Sequence, residues 1–356
     1  MNHFDNFFNG KKILVTGHTG FKGSWLCSWL NALGADITGF SLEPNSQPNM
    51  FSACNIEHDV NSIIADIRDY SAIEKAIIDN EPEIIFHLAA QPLVLESYKS
   101  PLNTFQTNVI GTANILEAIR LRGKEFVKSV VIVTSDKCYE NNEKGHSFVE
   151  EDKLGGKDPY SSSKASAEII TNAYYNSFFI NKSNVSISTV RAGNVIGGGD
   201  WSANRLIPDC MRSLSNNKDI IIRNPNSTRP WQHVLDPLCG YLNLSKNMYS
   251  DSSFCGAWNF GPFHESVKTV TNVVNSLCDL WPESKSSIEF LKINKSVKEA
   301  KLLSLDSTKA TKYLGWRPRL DFQRSIELTV GWYKSYYNSP ELIKELVTNQ
   351  INRYYG

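Results

Sequence analysis

Six short apolar runs, most of them followed by a stretch of helical spacing, fill the first 190 residues and limit the chain to few folds. The runs lie at 12–16, 36–40, 62–65, 83–87, 128–134 and 185–190. Helical spacing covers 22–33, which Gly34 ends, then 70–79, 104–122 and 161–181. Short apolar strands separated by helices make βαβ units, and their nearly unbroken apolar character means burial on both sheet faces. Crossover rules then predict a doubly wound parallel α/β sheet.

After Arg191 the rhythm changes. Residues 192–226 read as loop-rich around a helix at 205–215, with a short strand at 220–223. A helix, a strand at 288–291, a Lys/Ser-rich stretch and a short helix follow between 267 and 316, and helices at 322–337 and 340–353 close the chain. No repeat, low-complexity tract or flexible linker separates the halves. With 356 residues and about 150 per domain, a second, smaller α/β domain interleaved with the first is expected.

Composition narrows the function classes. Lys plus Arg and Asp plus Glu both number 37, so the net charge is zero and bulk attraction to nucleic acid or anionic membrane is not indicated. Seven scattered cysteines without a CxxC pair read as thiols in a reducing compartment, and the histidines do not cluster with acids at metal-ligand spacing, so no metal is expected. The first residues lack the pattern of a signal peptide, and no run approaches the roughly 18 apolar residues of a membrane span. A soluble cytoplasmic protein is the expectation. Trp332, Tyr333, Tyr336 and Tyr337 fall at helical spacing and read as core or interface.

Gly17, His18, Thr19, Gly20, Phe21, Lys22 and Gly23 directly follow the first strand and open the first helix. Glycines there let the chain turn sharply, approach a pyrophosphate and pack helix on strand, while the helix N-terminus offers free N–H groups to phosphate. That is the first turn of a Rossmann dinucleotide site. Tyr160 and Lys164, four apart on a helix, share a face. The ammonium can lower the phenol's pKa so that it accepts a proton from a substrate hydroxyl as hydride leaves the carbon. Thr134 and Ser135 end the fifth strand nearby in the pattern.

The G-x-x-G-x-x-G spacing, the Tyr160/Lys164 pair and Ser135 together resemble the extended short-chain dehydrogenase/reductase family. The resemblance implies a dinucleotide contacted by Gly17, Thr19, Gly20, Phe21, Lys22, Gly23, Asp66, Ile67, Leu88, Ala89, Ala90 and Asn108, with Tyr160 and Lys164 at its reactive end. The second strand of the family usually ends in an acid for the ribose of NAD; here Ser41 stands there, with Glu43 two residues on. No Arg is present for a 2′-phosphate, so NAD is expected over NADP.

Asp136 and Lys137 follow Ser135, where the sugar-nucleotide 4,6-dehydratases of the family carry an acid and a base. Oxidation at C4 of the hexose acidifies the C5 proton; a base removes it, an acid protonates the departing C6 hydroxyl, and hydride returns to C6. Asp136 resembles that acid. Lys137 occupies the place of the usual Glu; it acts as base if burial or a nearby cation lowers its pKa, and is otherwise a solvated lysine.

The segments 17–25, 134–139, 191–201 and 229–234, with Glu299, Ala300, Leu305, Asp306 and 314–318, resemble the dehydratase subgroup acting on CDP-glucose, over residues 11–337. The resemblance implies a CDP-glucose substrate, a tightly held NAD reduced and reoxidised in one turnover, and supply of deoxyhexoses to bacterial surface polysaccharide such as O-antigen. Asn194 and Arg205 would face the sugar diphosphate, Arg229 would clamp it, and Gln91 and Leu93 would approach the hexose. Residues 1–192, with parts of 230–262 and 320–338, would form the NAD-binding domain; 193–229 and 263–319 would form the nucleotide-sugar domain. A homodimer through helices 104–122 and 161–181 is also implied. Two rivals remain at this point: an epimerase or another nucleotide-sugar dehydratase of the family, and a cofactor-sensing binding protein on the same fold.

Overall fold

The computed structural model describes residues 3–141, 145–290 and 303–355. Its centre is a seven-stranded parallel sheet in the order Gly256–Phe260, Ser186–Ala192, Ser129–Val133, Ile84–His87, Lys12–Thr16, Asp36–Ser41 and Asn61–Ile64. From Lys12–Thr16 the chain first builds outward through Asp36–Ser41 and Asn61–Ile64. It then returns to the other side of Lys12–Thr16 and builds through Ile84–His87. That reversal opens a crevice at the carboxyl ends of Lys12–Thr16 and Ile84–His87, where ligands of open α/β sheets bind.

The strands form because their residues alternate between two buried layers. Ile13, Val15, Ile84, Phe86, Val131 and Val133 face one core, which includes Trp25, Trp29 and Leu30 of helix Phe21–Ala32 and Trp332 of helix Phe322–Asn338. Leu14, Ile85, Val130 and Ile132 face the other, packed on Ile73 and Ile77 of helix Tyr70–Asn80 and Ile115 and Leu116 of helix Gly111–Ala118. A single-residue slip would exchange the layers, so register is tightly specified.

Several sequence expectations need correction. The helix expected at 104–122 starts at Pro101, whose fixed φ suits a first turn, and is interrupted by π-helical turns at Gln106–Ile110 and Ile119–Gly123. The helix expected at 161–181 is Pro159–Tyr174 followed by a π-helical turn, Tyr175–Phe179. The stretch read as loop-rich contains the strand Asn194–Ile196, and the helix Leu235–Met248 and edge strand Gly256–Phe260 were not foreseen. The helix read at 340–353 is Ile343–Tyr355 after a short 3-10 turn. Of the strand read at 288–291, Ile288–Phe290 is present; Leu291, Glu299 and Ala300 lie outside the described residues.

Over the carboxyl edge of the sheet sits a smaller group of elements. Thr228–His233 pairs parallel with Asn194–Ile196 and antiparallel with Val267–Thr269, and Ile220–Ile222 pairs with Ile288–Phe290. Helices Leu206–Ser215 and Val270–Asp279 pack against them. Among the described residues no helix is long and apolar enough to cross a membrane, and all seven cysteines are free thiols.

Candidate active site

The first turn is built on glycine for reasons of space. Gly17 has φ +75°, and a Cβ there would lie 2.8 Å from the Ala89 nitrogen; a Cβ on Gly23 would meet the Gly17 oxygen at 2.0 Å. Gly20 caps helix Phe21–Ala32 without a side chain, leaving the N–H groups of its first turn open to a pyrophosphate. Thr19 Oγ1 donates to the Leu42 carbonyl at 2.8 Å and lies 2.9 Å from Ser41 Oγ, tying the turn to the end of the second strand. Leu88 N and Ala89 N donate to Thr16 O and Oγ1 at 3.1 and 3.2 Å, so the 88–90 segment lies beside Gly17, with Ala90 half-buried. The cradle fits a dinucleotide.

Asp66, at the end of the third strand's loop, is gripped by the guanidinium of Arg68, whose Nε donates to both carboxylate oxygens at 2.9 and 3.0 Å. That hydrogen bonding holds the Asp66 carboxyl below its ordinary range. Arg68 also donates to Asn103 Oδ1 at 2.8 Å, and Ile67 beside it is buried against Gly111. The Asp66–Arg68 clamp escaped sequence reasoning; an Asp two residues before an Arg after a strand was its only signal. Asn108 sits in a π-helical turn, a distortion that often marks functional sites. It accepts from Gln91 N at 2.8 Å and donates to Gln91 O at 3.1 Å and to Ser163 Oγ at 2.8 Å. Gln91 spends its own amide on Thr104 Oγ1 (2.8 Å) and Leu93 N (2.6 Å), so it closes the loop after the fourth strand.

The reacting end is assembled where the fifth strand meets helix Pro159–Tyr174. Asp158 caps that helix, accepting from Ser161 N at 3.0 Å, and Pro159 starts it. This sets Tyr160 and Lys164 on the face toward Ser135 and Asp136. Ser135 caps the 3-10 turn Asp136–Cys138, accepting from Lys137 N at 3.2 Å while its hydroxyl donates to Asp136 Oδ1 at 2.9 Å. Burial pushes the Tyr160 phenol up to about 12, against the pull of a hydrogen bond with Ser135 and the charge of Arg205. Burial also raises Asp136, although Lys137, Ser135, Lys22 and Arg229 pull the other way. Lys164 is lowered to about 8 by burial, opposed by Glu168 and Cys138, and donates to Val133 O at 3.2 Å. Lys137 Nζ lies 6.0 Å from the Tyr160 ring centroid.

Three further cations face this group. Lys22 is lowered to about 8 by burial and by the charges of Arg205 and Lys164, and is drawn back by Asp136. Arg205 Nη1 donates to Asp200 Oδ2 at 3.0 Å. Arg229, on the strand Thr228–His233, acts on Asp136 and donates to Thr228 O at 3.0 Å. Asn194 opens the neighbouring strand opposite Trp231; a Cβ on the preceding Gly193 would sit 3.2 Å from Asp136 Oδ2, so this backbone runs close against the acid. The fold therefore brings Lys22, Lys137, Lys164, Arg205 and Arg229 around Ser135, Asp136 and Tyr160. The guanidinium groups of Arg205 and Arg229 suit a diphosphate, and the phenol–lysine–carboxyl group suits proton transfer at a carbinol.

This chain is 44% identical over 344 residues to a CDP-glucose 4,6-dehydratase from Salmonella typhimurium, covering 95% of this chain and 94% of that protein. Its fold is similar to an epimerase from Methanothermobacter thermautotrophicus (TM-score 0.80, 23% identity, 97% and 98% of the two chains). It is also similar to a dTDP-glucose 4,6-dehydratase from Bacillus anthracis in complex with NAD (TM-score 0.77, 24% identity, 95% and 100%). Residues 14–329 match the family described as GDP-mannose 4,6 dehydratase, and to that family the chain belongs.

Proposed function

We propose that the protein converts CDP-glucose into CDP-4-keto-6-deoxyglucose and water, with a tightly held NAD as cofactor. The observation that carries this reading is the Ser135–Asp136–Lys137 turn, with its buried, raised carboxyl, set against Tyr160 and Lys164. Epimerisation at C4 needs a proton acceptor for the hydroxyl but no acid for a leaving C6 oxygen. The 44% identity to the Salmonella CDP-glucose enzyme supports the nucleotide and the hexose.

NAD, held by the Gly17–Gly23 turn, would supply an internal hydride acceptor for C4 and donor for C6, so no outside reductant would be consumed. Tyr160, as phenolate, removes the C4 hydroxyl proton while Ser135 hydrogen-bonds the same oxygen and the Lys164 ammonium stabilises the phenolate. The C4 carbonyl acidifies C5–H, and Lys137 takes that proton and later gives it back to C5. Asp136, whose carboxyl burial raises, acts as the acid that donates a proton to the C6 hydroxyl, which leaves as water. The proton gained by Tyr160 offsets the one lost by Asp136 once both exchange with solvent.

In this reading Gly17, Thr19, Gly20, Phe21, Lys22 and Gly23 hold the pyrophosphate, and Ser41, Asp66 and Ile67 the adenosine. Leu88, Ala89, Ala90 and Asn108 line the path to the nicotinamide. Asn194, Arg205 and Arg229 hold the sugar diphosphate, and Gln91 shapes the hexose side. Residues 1–192 with parts of 230–262 and 320–338 form the NAD domain, and 193–229 with 263–319 the nucleotide-sugar domain. The protein works in the cytoplasm as a homodimer, supplying deoxyhexoses and dideoxysugars for lipopolysaccharide O-antigen. The exposed apolar residues Leu102, Ile110, Ile169 and Phe178 on two neighbouring helical stretches support the dimer.

Mass spectrometry of CDP-, dTDP-, UDP- and GDP-linked hexoses, incubated separately with protein and NAD, tests the reading. Loss of one water from CDP-glucose alone is expected. Unchanged mass with a new stereoisomer would make the protein a 4-epimerase, and water loss from another nucleotide would reassign the substrate.

A further inference from the structure

Glu168 lies one helical turn beyond Lys164 and is buried with Arg191, each side chain 3% exposed. Its carboxylate accepts from four donors. Oε1 takes Arg191 Nε at 3.0 Å and the Thr134 hydroxyl; Oε2 takes Arg191 Nη2 at 2.7 Å and the Thr189 hydroxyl at 2.6 Å. Thr134 immediately precedes Ser135, so one carboxylate joins the helix that carries Lys164 to the strand end that carries Ser135. Arg191 extends the link, donating from Nη1 to Tyr139 Oη at 2.6 Å and Glu150 O at 3.0 Å. A buried ion pair of this kind is weak evidence for stability, because desolvation cancels much of its attraction and an apolar pair of similar volume often serves as well.

We propose that Glu168 is a positioning residue for hydride transfer: its fixed negative charge keeps the Lys164 ammonium protonated, and its bond to Thr134 sets Ser135 against Tyr160. The groups facing Lys164 support this. On its own helix are Tyr160 and Glu168; Cys138 comes from the turn after the fifth strand, Lys22 from the first helix and His87 from the fourth strand. His87 is lowered to about 3 by burial, the Cys138 thiol is held well above its ordinary value, and Lys22 repels. Among the described residues Glu168 is therefore the carboxylate that opposes the burial of Lys164. Removing it lowers the pH at which Lys164 gives up its proton.

The inference rests on the Tyr160/Lys164 reading above, and the test separates the two. Single-turnover reduction of NAD by CDP-glucose is followed against pH in wild type, Glu168→Gln, Glu168→Asp and the double variant Glu168→Gln/Arg191→Met. The last leaves no buried guanidinium unpaired and serves if the single variant unfolds. An opposite charge at this range shifts a neighbour by roughly one unit or more. The alkaline limb of the profile is therefore expected to move to lower pH by about one unit in both Gln variants, and to stay near wild type in Glu168→Asp. A wild-type limb in a Gln variant that still binds NAD overturns the proposal, as does an equal shift in Glu168→Asp. If Tyr160→Phe keeps wild-type reduction in the same assay, the failure belongs to the hydride-transfer reading instead.

Discussion

Asp200 Oδ2 accepts from Arg205 Nη1 at 3.0 Å, and the guanidinium held in this way acts on both Tyr160 and Lys22. Asp200 is itself fixed: it is buried, and its carbonyl accepts from the Tyr333 hydroxyl in the aromatic cluster of Trp201, Trp332 and Tyr336. A pre-set guanidinium loses less freedom when it meets a phosphate. Asp200→Asn removes the anchor while keeping the shape. A hydrogen bond to a charged group is worth about 1.5–3 kcal/mol, so KM for CDP-glucose should rise roughly 10- to 100-fold with kcat little changed. Steady-state kinetics check this, and an unchanged KM would remove Arg205 from the diphosphate site.

Tyr160→Phe should cost about 100- to 10,000-fold in hydride transfer, the usual range for loss of a positioned acid–base group. NAD binding, read by calorimetry, should persist, because the glycine cradle at Gly17–Gly23 is untouched. In the proposed reading the oxidised nicotinamide would lie beside the phenol, and its positive charge should pull Tyr160 below the value of about 12 that burial imposes on the free protein. The ultraviolet ionisation spectrum of wild type minus Tyr160→Phe, with and without NAD, reads that shift directly.

Lys137 and Asp136 separate the two halves of water loss. Lys137→Ala should leave the first oxidation nearly intact and slow exchange of the C5 proton with deuterated water by at least about 100-fold. Exchange at the wild-type rate would mean that the base is another group. Arg229→Ala should instead raise KM with exchange per turnover unchanged, since the proposed reading gives Arg229 to the diphosphate, beside its charge on Asp136.

Local chemistry was legible in the sequence; contacts across the fold were not. The apolar runs foretold six of the seven parallel strands, and the glycine turn foretold the crevice beside Lys12–Thr16. The helix Leu235–Met248 escaped because it is buried on most sides, including Leu235, Leu238, Tyr241, Leu242 and Met248, and so shows no polar face to betray a period. Gly256–Phe260 escaped because a five-residue edge strand beginning with glycine looks like a turn. Tyr160, Lys164, Ser135 and Asp136 were readable from spacing and resemblance, but their environment was not. Glu168 meets Arg191 and Thr134 only because Ser129–Val133 and Ser186–Ala192 are neighbours in the sheet. Arg68 on Asp66 could have been read locally and was missed.

Acid should destabilise the protein through buried histidines before its carboxylates are fully protonated. Burial lowers His18 to about 4 and His87 and His233 to about 3. Unfolded, each takes a proton near 6.5, so below that pH the unfolded chain binds more protons and stability falls as pH falls toward 4. Each contributes a slope of about 1.4 kcal/mol per pH unit. Asp236 works the other way: burial pushes it up to about 6, so the folded chain binds its proton first and offsets one histidine between pH 6 and 4. His233 is a suitable one to remove: among the described residues its Nε2 has no hydrogen-bond partner, its Nδ1 takes only a long bond from Leu235 N at 3.4 Å, and its ring packs edge-on against Trp25 at 5.8 Å, a contact that phenylalanine keeps. In urea titrations between pH 6 and 4.5, His233→Phe should flatten the fall in stability by about 1.4 kcal/mol per unit. Asp236→Asn should steepen it by a similar amount, despite a loss of stability at pH 7 from weakened bonds to Tyr354 and Arg319. Parallel curves for wild type and His233→Phe would mean that His233 is not held neutral in the folded protein.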